Sequence, residues 1–589
     1  MTNAKWPAAV FLFLLVFGLY FNTLRAPFIL DDTHKIQNNP DITSLQNFKT
    51  RLIYPYDPQN KSFERNDPSR PLTYLTFTLN YFFGKLNPLG YHLFNVFLHF
   101  LNSFLIFILA GKLLSRFGEK EASLTAFFTA VFFAVAPVNS YTVAYTYCRS
   151  DLLCAMFYLL SAVLFIEGSI ASLLSFILAL ASKQTAATLP AVILLADYIL
   201  SGMNTTGIRK RKYFHMSFWA LLFAYLAFRQ FYLGGVGDME AQGTWGRMEY
   251  LLSQPFALVK YIQFILVPAG LSFDHFLVPA KIGALKIALS FAALAGIAAL
   301  SAIALIKRNT ASKALLLGLG WFFITVLPAS SIFPTTAVIA ANRAYLPAFG
   351  ICLLVSFFFS MIKNRRVMAV LFCAYIALMS IVLVNRNRLY NEPYLLWQDV
   401  LSKYPDNFRA HTCLGFLYQG QRDYANASRE YNKVLEMFPG YSKIHYNLGV
   451  MYQEQKRYTE ALGEYAMVGE SQPEYSSARG NAGSAYAALG QYSMAIREYE
   501  QAARFNTRNE ALYFNLGYAY TREKRYNEAI ETYKKAVEIN PGFGSAYYNL
   551  ACIYSIKGDK KSSSLYLESA VKINPYFGEL AKTDKDFSF

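Results

Sequence analysis

Two adjacent carboxylates, Asp31 and Asp32, follow an apolar run in the stretch Phe28-Ile29-Leu30-Asp31-Asp32-Thr33-His34. Like charges raise one another's pKa, and burial raises it further. At the mouth of a membrane cavity such a pair could present a carboxylate that accepts a proton near neutral pH. Adjacent acids also occur in hydrated loops, so the pair alone does not decide the chemistry. Four more polar clusters interrupt apolar sequence: Tyr147-Cys148-Arg149-Ser150-Asp151, Lys183-Gln184, Asp274-His275 and Asn342-Arg343-Ala344-Tyr345-Leu346-Pro347. Ionisable residues in a membrane are costly and are functional candidates by default. Singly, each could be an interfacial anchor whose charge snorkels, with Arg149 and Asp151 forming an internal salt bridge. Their convergence on one face is harder to dismiss. Acids that take a proton, with cations that hold an oxyanion, suit transfer of a group from a lipid phosphate to an external hydroxyl. No Walker loop, dinucleotide fingerprint or Gly-x-Ser-x-Gly elbow competes.

Two further residue sets have a metal reading. His92, Asn95 and His99 share a helical face at spacings of three and four. No carboxylate accompanies the histidines on that helix, so packing and hydrogen bonding are expected over ligation. The six cysteines, Cys148, Cys154, Cys352, Cys373, Cys413 and Cys552, lack metal-type spacing, and neither a zinc site nor a disulfide framework is expected. No cofactor is required, although a divalent ion could assist the Asp pair.

These residues must be held by membrane helices. The chain has 589 residues, 54% hydrophobic and 17% aromatic, with a mean hydropathy of +0.24. It is too apolar for an ordinary soluble chain and too long for one domain. The net charge of +17 lies largely in short basic clusters between apolar runs, a pattern of membrane topology, so no nucleic acid is expected. The run from Pro7 to Thr23 follows Lys5 and lacks a small-residue cleavage site, which reads as an uncleaved anchor with a cytoplasmic amino terminus. An external loop, residues 25–89, then carries the Asp pair and Arg70, with a semi-apolar segment from Leu72 to Phe83 suited to the interface.

Further spans are expected near 90–114, 122–138, 150–167, 170–182, 184–200, 213–233, 283–306, 314–333, 345–361 and 367–385. The two short ones flank Lys183-Gln184, a break tolerated where helices line a buried or watery cavity. Alternate counting puts Arg116 and Lys120, Arg209 to Lys212, Lys307-Arg308 with Lys313, and Lys363 with Arg365-Arg366 all inside. Segment 248–268 must then dip in from outside or lie at the surface. This gives about 11 crossings by the positive-inside rule, with the carboxyl-terminal half outside, in the periplasm of a cell with a plasma (inner) membrane.

That half repeats. Leu414-Gly415, Leu448-Gly449, Ala482-Gly483, Leu516-Gly517 and Leu550-Ala551 recur every 34 residues, the period of the tetratricopeptide repeat (TPR). Tyr418, Tyr452, Tyr486, Tyr520 and Tyr554 keep the same register, as do Ala427, Ala461, Ala495 and Ala529. Five units predict an α-solenoid with a concave groove that binds an acceptor or partner peptide. The fold class is therefore all-α: a polytopic helical membrane domain over 1–385, a linker over 386–407, five repeats over 408–577 and a tail over 578–589.

In this order, Phe28-Ile29-Leu30-Asp31-Asp32, Arg70-Pro71-Leu72-Thr73, Gly90-Tyr91-His92-Leu93-Phe94-Asn95, Arg149-Ser150-Asp151-Leu152-Leu153, Ser182-Lys183-Gln184, Leu271-Ser272-Phe273-Asp274 and Asn342 to Pro347, followed by the repeats, carry a resemblance. The chain resembles the transmembrane and TPR-containing (TMTC) O-mannosyltransferases and their bacterial relatives, among the C-type polyprenyl-phosphate-sugar glycosyltransferases. The resemblance implies an inverting transfer of mannose or another sugar from a polyprenyl phosphate to Ser or Thr of a protein. It makes Asp31 or Asp32 the base, and Arg343, Lys183 and Arg149 the donor-phosphate cations. Asp151, His34, Arg70, His92, Gln184, Asp274, His275 and Tyr345 are then supporting residues. Gln184 stands where the family pattern usually has Glu, and Asn342 where a Glu often precedes the Arg. A membrane scaffold without activity, holding partners on its repeats, is the competing expectation.

Overall fold

The structure is a computed structural model that describes residues 2–53, 67, 69–233, 246–279, 282–330, 335 and 337–587. Residues 54–66 and 68 of the expected external loop, and 331–334 at the end of one expected span, lie outside the described residues. Among the described residues every regular element is helical. The chain divides into two compact units, Met1–Asp406 and Asn407–Phe589.

The first unit begins with α1 (Thr2–Tyr20), α2 (Leu45–Ile53), α3 (Pro71–Gly84), α4 (Pro88–Phe117), α5 (Ala122–Val135) and α6 (Asn139–Ala144). It continues with α7 (Arg149–Glu167), α8 (Ala171–Leu180), α9 (Leu189–Leu200), α10 (Thr206–Lys210), α11 (Lys212–Tyr232) and α12 (Arg247–Leu266). It closes with α13 (Ala284–Lys307), α14 (Thr310–Val326), α15 (Ala348–Ser360), α16 (Arg365–Leu389) and α17 (Pro393–Lys403). Among the described residues five helical stretches, Lys5–Thr23, Pro88–Phe117, Thr146–Glu167, Ala284–Lys307 and Arg365–Leu389, are long and apolar enough to cross a membrane, and five shorter apolar helices accompany them. Only 11% of the apolar stretch of α13 is buried within the protein. A helix that apolar and that bare belongs in lipid, where its backbone bonds are all satisfied internally. The chain is a membrane protein.

Local sequence sets the helix ends that matter for the site. Asn87 caps α4 by accepting from the Leu89 amide, Pro88 occupies the first turn, and Gly118 ends the helix in the left-handed conformation. The helix α4 packs on α1, α5 and α7 and forms the spine of the unit. Helices α14 and α15 cross at Gly318 and Gly350, where a Cβ on Gly350 would run into the Gly318 carbonyl. That close approach fixes the Asn342–Arg343 turn just ahead of α15. The segment expected along the interface is α3, which buries Thr73, Tyr74, Phe77 and Thr78 and exposes Phe82 and Phe83. Residues 386–407, expected as a linker, hold the end of α16 and all of α17.

The second unit is a stack of helix pairs: α18 (Phe408–Gly420) with α19 (Tyr424–Met437), α20 (Ser442–Glu454) with α21 (Tyr458–Ala466), and α22 (Tyr475–Ala488) with α23 (Tyr492–Phe505). Two more follow, α24 (Glu510–Arg522) with α25 (Tyr526–Ile539) and α26 (Gly544–Ile556) with α27 (Lys560–Ile573), then the short α28 (Tyr576–Ala581). In four pairs the glycine at 415, 449, 483 or 517 lies flat under the ring of Tyr431, Tyr465, Tyr499 or Tyr533, so any side chain there would collide. In the expected tail Phe587 packs against Tyr548.

Candidate active site

After α1 the chain makes a short turn, Phe21–Thr23, continued by a turn at residues 24–25, and passes through an irregular stretch to Leu30. Leu30 takes a left-handed conformation, φ +46°, which costs a leucine about 1–2 kcal/mol. The reversal starts a turn in which the Asp32 amide bonds Ile29 O and the Thr33 amide bonds Leu30 O. The two acids then face different surroundings. Asp32 is buried; its Oδ1 accepts from the Tyr147 amide at 2.8 Å and its Oδ2 from the Ile29 amide at 3.3 Å. Burial pushes its carboxyl well above the usual range, against the downward pull of those two amides. Asp31 is exposed. Its Oδ2 accepts from the Tyr145 hydroxyl at 2.9 Å, and its amide donates to the same oxygen at 3.0 Å. Burial, then the charges of Asp31 and Asp32, raise the Tyr145 phenol well above its ordinary pKa, so it remains a donor.

Tyr147 ties this pair to a second set. Arg70 donates to its hydroxyl at 3.4 Å and pairs with Asp67 at 3.0 Å. Burial works against the Asp67 charge, but Arg70 and Ser69 outweigh it and hold that carboxyl below its usual range. Four residues after Tyr147, about 6 Å along the helix axis, Asp151 accepts from Lys183 Nζ with both oxygens, at 2.8 and 2.7 Å. Asn342 Nδ2 adds a third bond to Asp151 at 3.2 Å. Lys183, Asp151 and Asn342 thus form one constellation, with Arg343 next to it in sequence. Arg343 donates to Ala337 O and Thr335 Oγ1, each at 2.9 Å.

Arg149 departs from the expected internal ion pair. It makes no salt bridge with Asp151, because residues two apart on a helix point to different sides. It is fully buried, donating from Nε to Asn95 at 2.9 Å, from Nη1 to Asn80 at 2.5 Å and Thr76 at 3.4 Å, and from Nη2 to Tyr91 O at 2.9 Å. The Phe77 and Phe94 rings close over it at 4.5 and 4.8 Å. All three nitrogens are engaged within the protein, so Arg149 clamps α3, α4 and α7 together. His92 and His99 are buried hydrogen-bonding residues. His92 Nε2 donates to Ala26 O at 2.9 Å, anchoring the approach to the Asp pair, and His99 bonds the Tyr345 hydroxyl at 2.7 Å. Tyr345 also takes a bond from Asn102 and is spent inside the core.

His34 is exposed just beyond the pair. His275 lies apart, taking a bond from the Ser272 amide and meeting the Tyr404 hydroxyl at 3.0 Å. Burial, then the charges of Arg386, Lys403 and Lys260, depress it to about 3. It is neutral at physiological pH and supports the loop holding Phe273, whose ring packs on Tyr141 and Tyr145. Asp274, in the same loop, exerts its charge on Tyr141 and Tyr404. Both Asp32 oxygens accept from amides, and among the described residues no group of three or more His, Cys, Asp or Glu converges at the pair.

Tetratricopeptide-repeat family models match residues 414–475, 511–543 and 532–562, and a TPR-repeat model matches 483–523. The chain is 39% identical over 150 residues to the protein O-mannosyl-transferase Tmtc1 of Drosophila melanogaster, a match covering 25% of this chain and 16% of that protein. To the protein O-mannosyl-transferase TMTC3 of Mus musculus it is 24% identical over 500 residues, 73% of this chain and 51% of the relative. This chain is TMTC-like. It spans about half the length of the mouse relative. A solved structure of MamA matches at 25% identity over 28% of this chain and 97% of that one, with a TM-score of 0.27.

The two amides that depart from the TMTC-like pattern occupy informative places. Asn342 donates to Asp151, which a carboxylate could not do, and a second acid there would repel the first. Gln184 Oε1, next to Lys183, is buried and has no hydrogen-bond partner among the described residues. Tyr145 escapes a reading of the sequence altogether. It stands in an apolar, aromatic stretch 114 residues from Asp31, with no local signal that its hydroxyl is the carboxylate's partner.

Proposed function

We propose that this protein is a membrane glycosyltransferase that moves a sugar, mannose in the first instance, from a polyprenyl phosphate to Ser or Thr hydroxyls of proteins. The observation that carries the reading is an exposed, tyrosine-bonded Asp31 whose neighbour Asp32 is held by the Tyr147 amide, four residues before the Asp151 that meets Lys183 and Asn342, in a chain whose relatives bear the name protein O-mannosyl-transferase. Asp31 removes the proton from the acceptor hydroxyl as its oxygen attacks the anomeric carbon. A new carbon–oxygen bond forms there while the bond to the phosphate oxygen breaks on the opposite face, inverting the centre. The electron pair leaves with the lipid phosphate, and Lys183 and Arg343 stabilise the added charge. Tyr145 orients Asp31, Asp32 holds the turn, and Asp151 with Asn342 orients Lys183. The scheme uses no cofactor. The amino terminus is cytoplasmic, the chemistry and the repeats are extracytoplasmic in a plasma (inner) membrane, and the repeats bind acceptor or partner protein.

The test offers labelled polyprenyl-phosphate mannose and glucose, with a Ser/Thr peptide library, to the full chain in nanodiscs, beside the Asp31→Asn/Asp32→Asn variant. Label on peptide with the wild type alone supports the reaction and the pair. Equal transfer by the variant removes the pair as base, and no transfer from either donor returns the chain to the scaffold reading.

A further inference from the structure

Away from the Asp pair, the first unit holds a cavity of about 200 Å³ between α12, the segment after His275, the start of α13 and the end of α17. Phe256, Leu277 and Ile282 form apolar walls; Lys286, Lys403 and the exposed Asp406 are its charged lining. It is smaller than the roughly 300 Å³ at which pockets for whole drug-sized ligands begin, so it suits a headgroup. Two more cations stand beside it. Lys260, one turn beyond Phe256 on α12, lies over the Phe256 and Phe264 rings at 5.7 and 5.9 Å, and the charge of Lys286 bears on it. Arg386 and Lys403 both donate to the Leu271 carbonyl, at 2.6 and 2.7 Å. Of these four cations only Lys403 has a carboxylate within ion-pair distance among the described residues, Asp399 at 2.6 Å. Like charges gathered against apolar walls repel one another, and an anion between them removes that cost.

This cavity is distinct from the place proposed for the donor phosphate. On α12 the Tyr261 hydroxyl takes the Ala340 amide at 3.2 Å, and the Tyr250 hydroxyl meets Thr335 Oγ1, to which Arg343 donates, at 2.9 Å. Phe256 and Lys260 lie about 140° and 100° around the helix from Tyr261. What borders the cavity identifies its occupant. Helix α13 begins at Gly283 with no side chain capping its first amides, so it adds its positive end to the lysines. From there the helix runs bare, with Leu285 73% and Leu289 61% exposed. A soluble anion would leave that apolar surface uncovered. A phospholipid covers both, with its phosphate among the lysines and its chains on the helix.

We propose that this cavity binds the phosphodiester headgroup of an anionic phospholipid whose acyl chains lie along α13. The site stands whether or not the chain transfers sugar. The probe is phosphatidylglycerol, offered with an equal amount of phosphatidylcholine to the full chain in mild detergent, with bound lipid counted by native mass spectrometry. Preferential retention of one phosphatidylglycerol is expected. Its affinity should fall about fivefold in Lys286→Gln and about twentyfold in Lys260→Gln/Lys286→Gln, one surface charge being removed at each step. Lys286→Arg, which keeps the charge, should bind as the wild type does. The comparison of the two lipids leaves the protein untouched, and free glycerol phosphate serves as a competitor without acyl chains. Equal retention of the two lipids or affinity indifferent to both Gln variants would overturn the assignment. So would displacement by glycerol phosphate as readily as by phosphatidylglycerol, which would make the ligand a soluble phosphate.

Discussion

Arg149→Met separates a structural arginine from one that grips a donor. Methionine keeps the apolar stem and deletes the guanidinium. Asn95 Oδ1, Asn80 Oδ1 and the Tyr91 carbonyl each lose a charged donor at 2.9, 2.5 and 2.9 Å, the first and last in buried residues and Asn80 half-buried. An unsatisfied buried acceptor costs about 1–3 kcal/mol. Partial relaxation of α3 keeps the sum to roughly 3–5 kcal/mol, the scale of a broken buried ionic network. For a unit of this size the apparent melting temperature should fall by roughly 5 °C, extrapolating the size scaling of smaller domains. The assay is thermal unfolding in detergent at a fixed scan rate, because membrane proteins unfold irreversibly and only matched scans compare. Arg149→Lys should lose nearly as much, since an ammonium cannot fork to Asn95 and Asn80 together. An unchanged melting temperature with a raised KM for the lipid donor would refute this reasoning and return Arg149 to the phosphate.

Tyr145→Phe removes the hydroxyl that both accepts from the Asp31 amide and donates to its carboxylate; kcat should fall about tenfold with donor KM unchanged, measured by initial transfer rates. Single substitutions at the pair should divide: Asp31→Asn, at an exposed position, abolishes transfer with stability changed by less than about 0.5 kcal/mol. Asp32→Asn turns an NH2 toward one of the two amides it now accepts from, so it also destabilises by about 1–3 kcal/mol, and paired activity and melting measurements distinguish the two. His275 is held neutral, with its pKa depressed to about 3. Its contribution to stability is therefore complete above the unfolded value near 6.5 and is lost as pH falls toward 3, on the order of 2 kcal/mol by pH 5. His275→Phe should flatten that part of the melting-temperature profile between pH 7 and 4, and an equally steep profile would exclude His275 as its source.

What the sequence made legible were the features that repeat or cluster locally. The 34-residue register predicts each helix pair because the glycine at 449 and the ring at 465 must coincide in any unit that packs. Apolar runs mark α4, α7, α13 and α16 because bilayer thickness imposes their length. The polar clusters likewise point to Asp31, Lys183 and Asn342. Contacts between distant segments stayed hidden. Adjacency suggested Arg149 with Asp151, yet two residues on a helix stand about 200° apart, and Asp151 instead meets Lys183, 32 residues on. Residues 386–407 looked like a linker because they are polar, but Leu396, Trp397 and Val400 recur at helical spacing and are buried.

The neighbouring acids make sense once their directions are separated. Successive residues in a helical turn point about 100° apart, so one carboxylate can turn into the protein while the other turns out. Asp32 takes the inward place, where amides from its own segment and from Tyr147 meet both oxygens. A carboxylate suits that place better than any neutral side chain, since it alone offers two acceptors and no donor. The strained backbone at Leu30 then has a function: it sets the turn that Asp32 locks and that delivers Asp31 to Tyr145. Tyr147 carries the same rigidity onward, since its amide holds Asp32 and its helix presents Asp151 to Lys183 one turn later. In the proposed reaction the base Asp31 and the phosphate cation Lys183 are thereby both tied to the residues around Tyr147, which is what a displacement with attack and departure on opposite faces of a sugar ring requires.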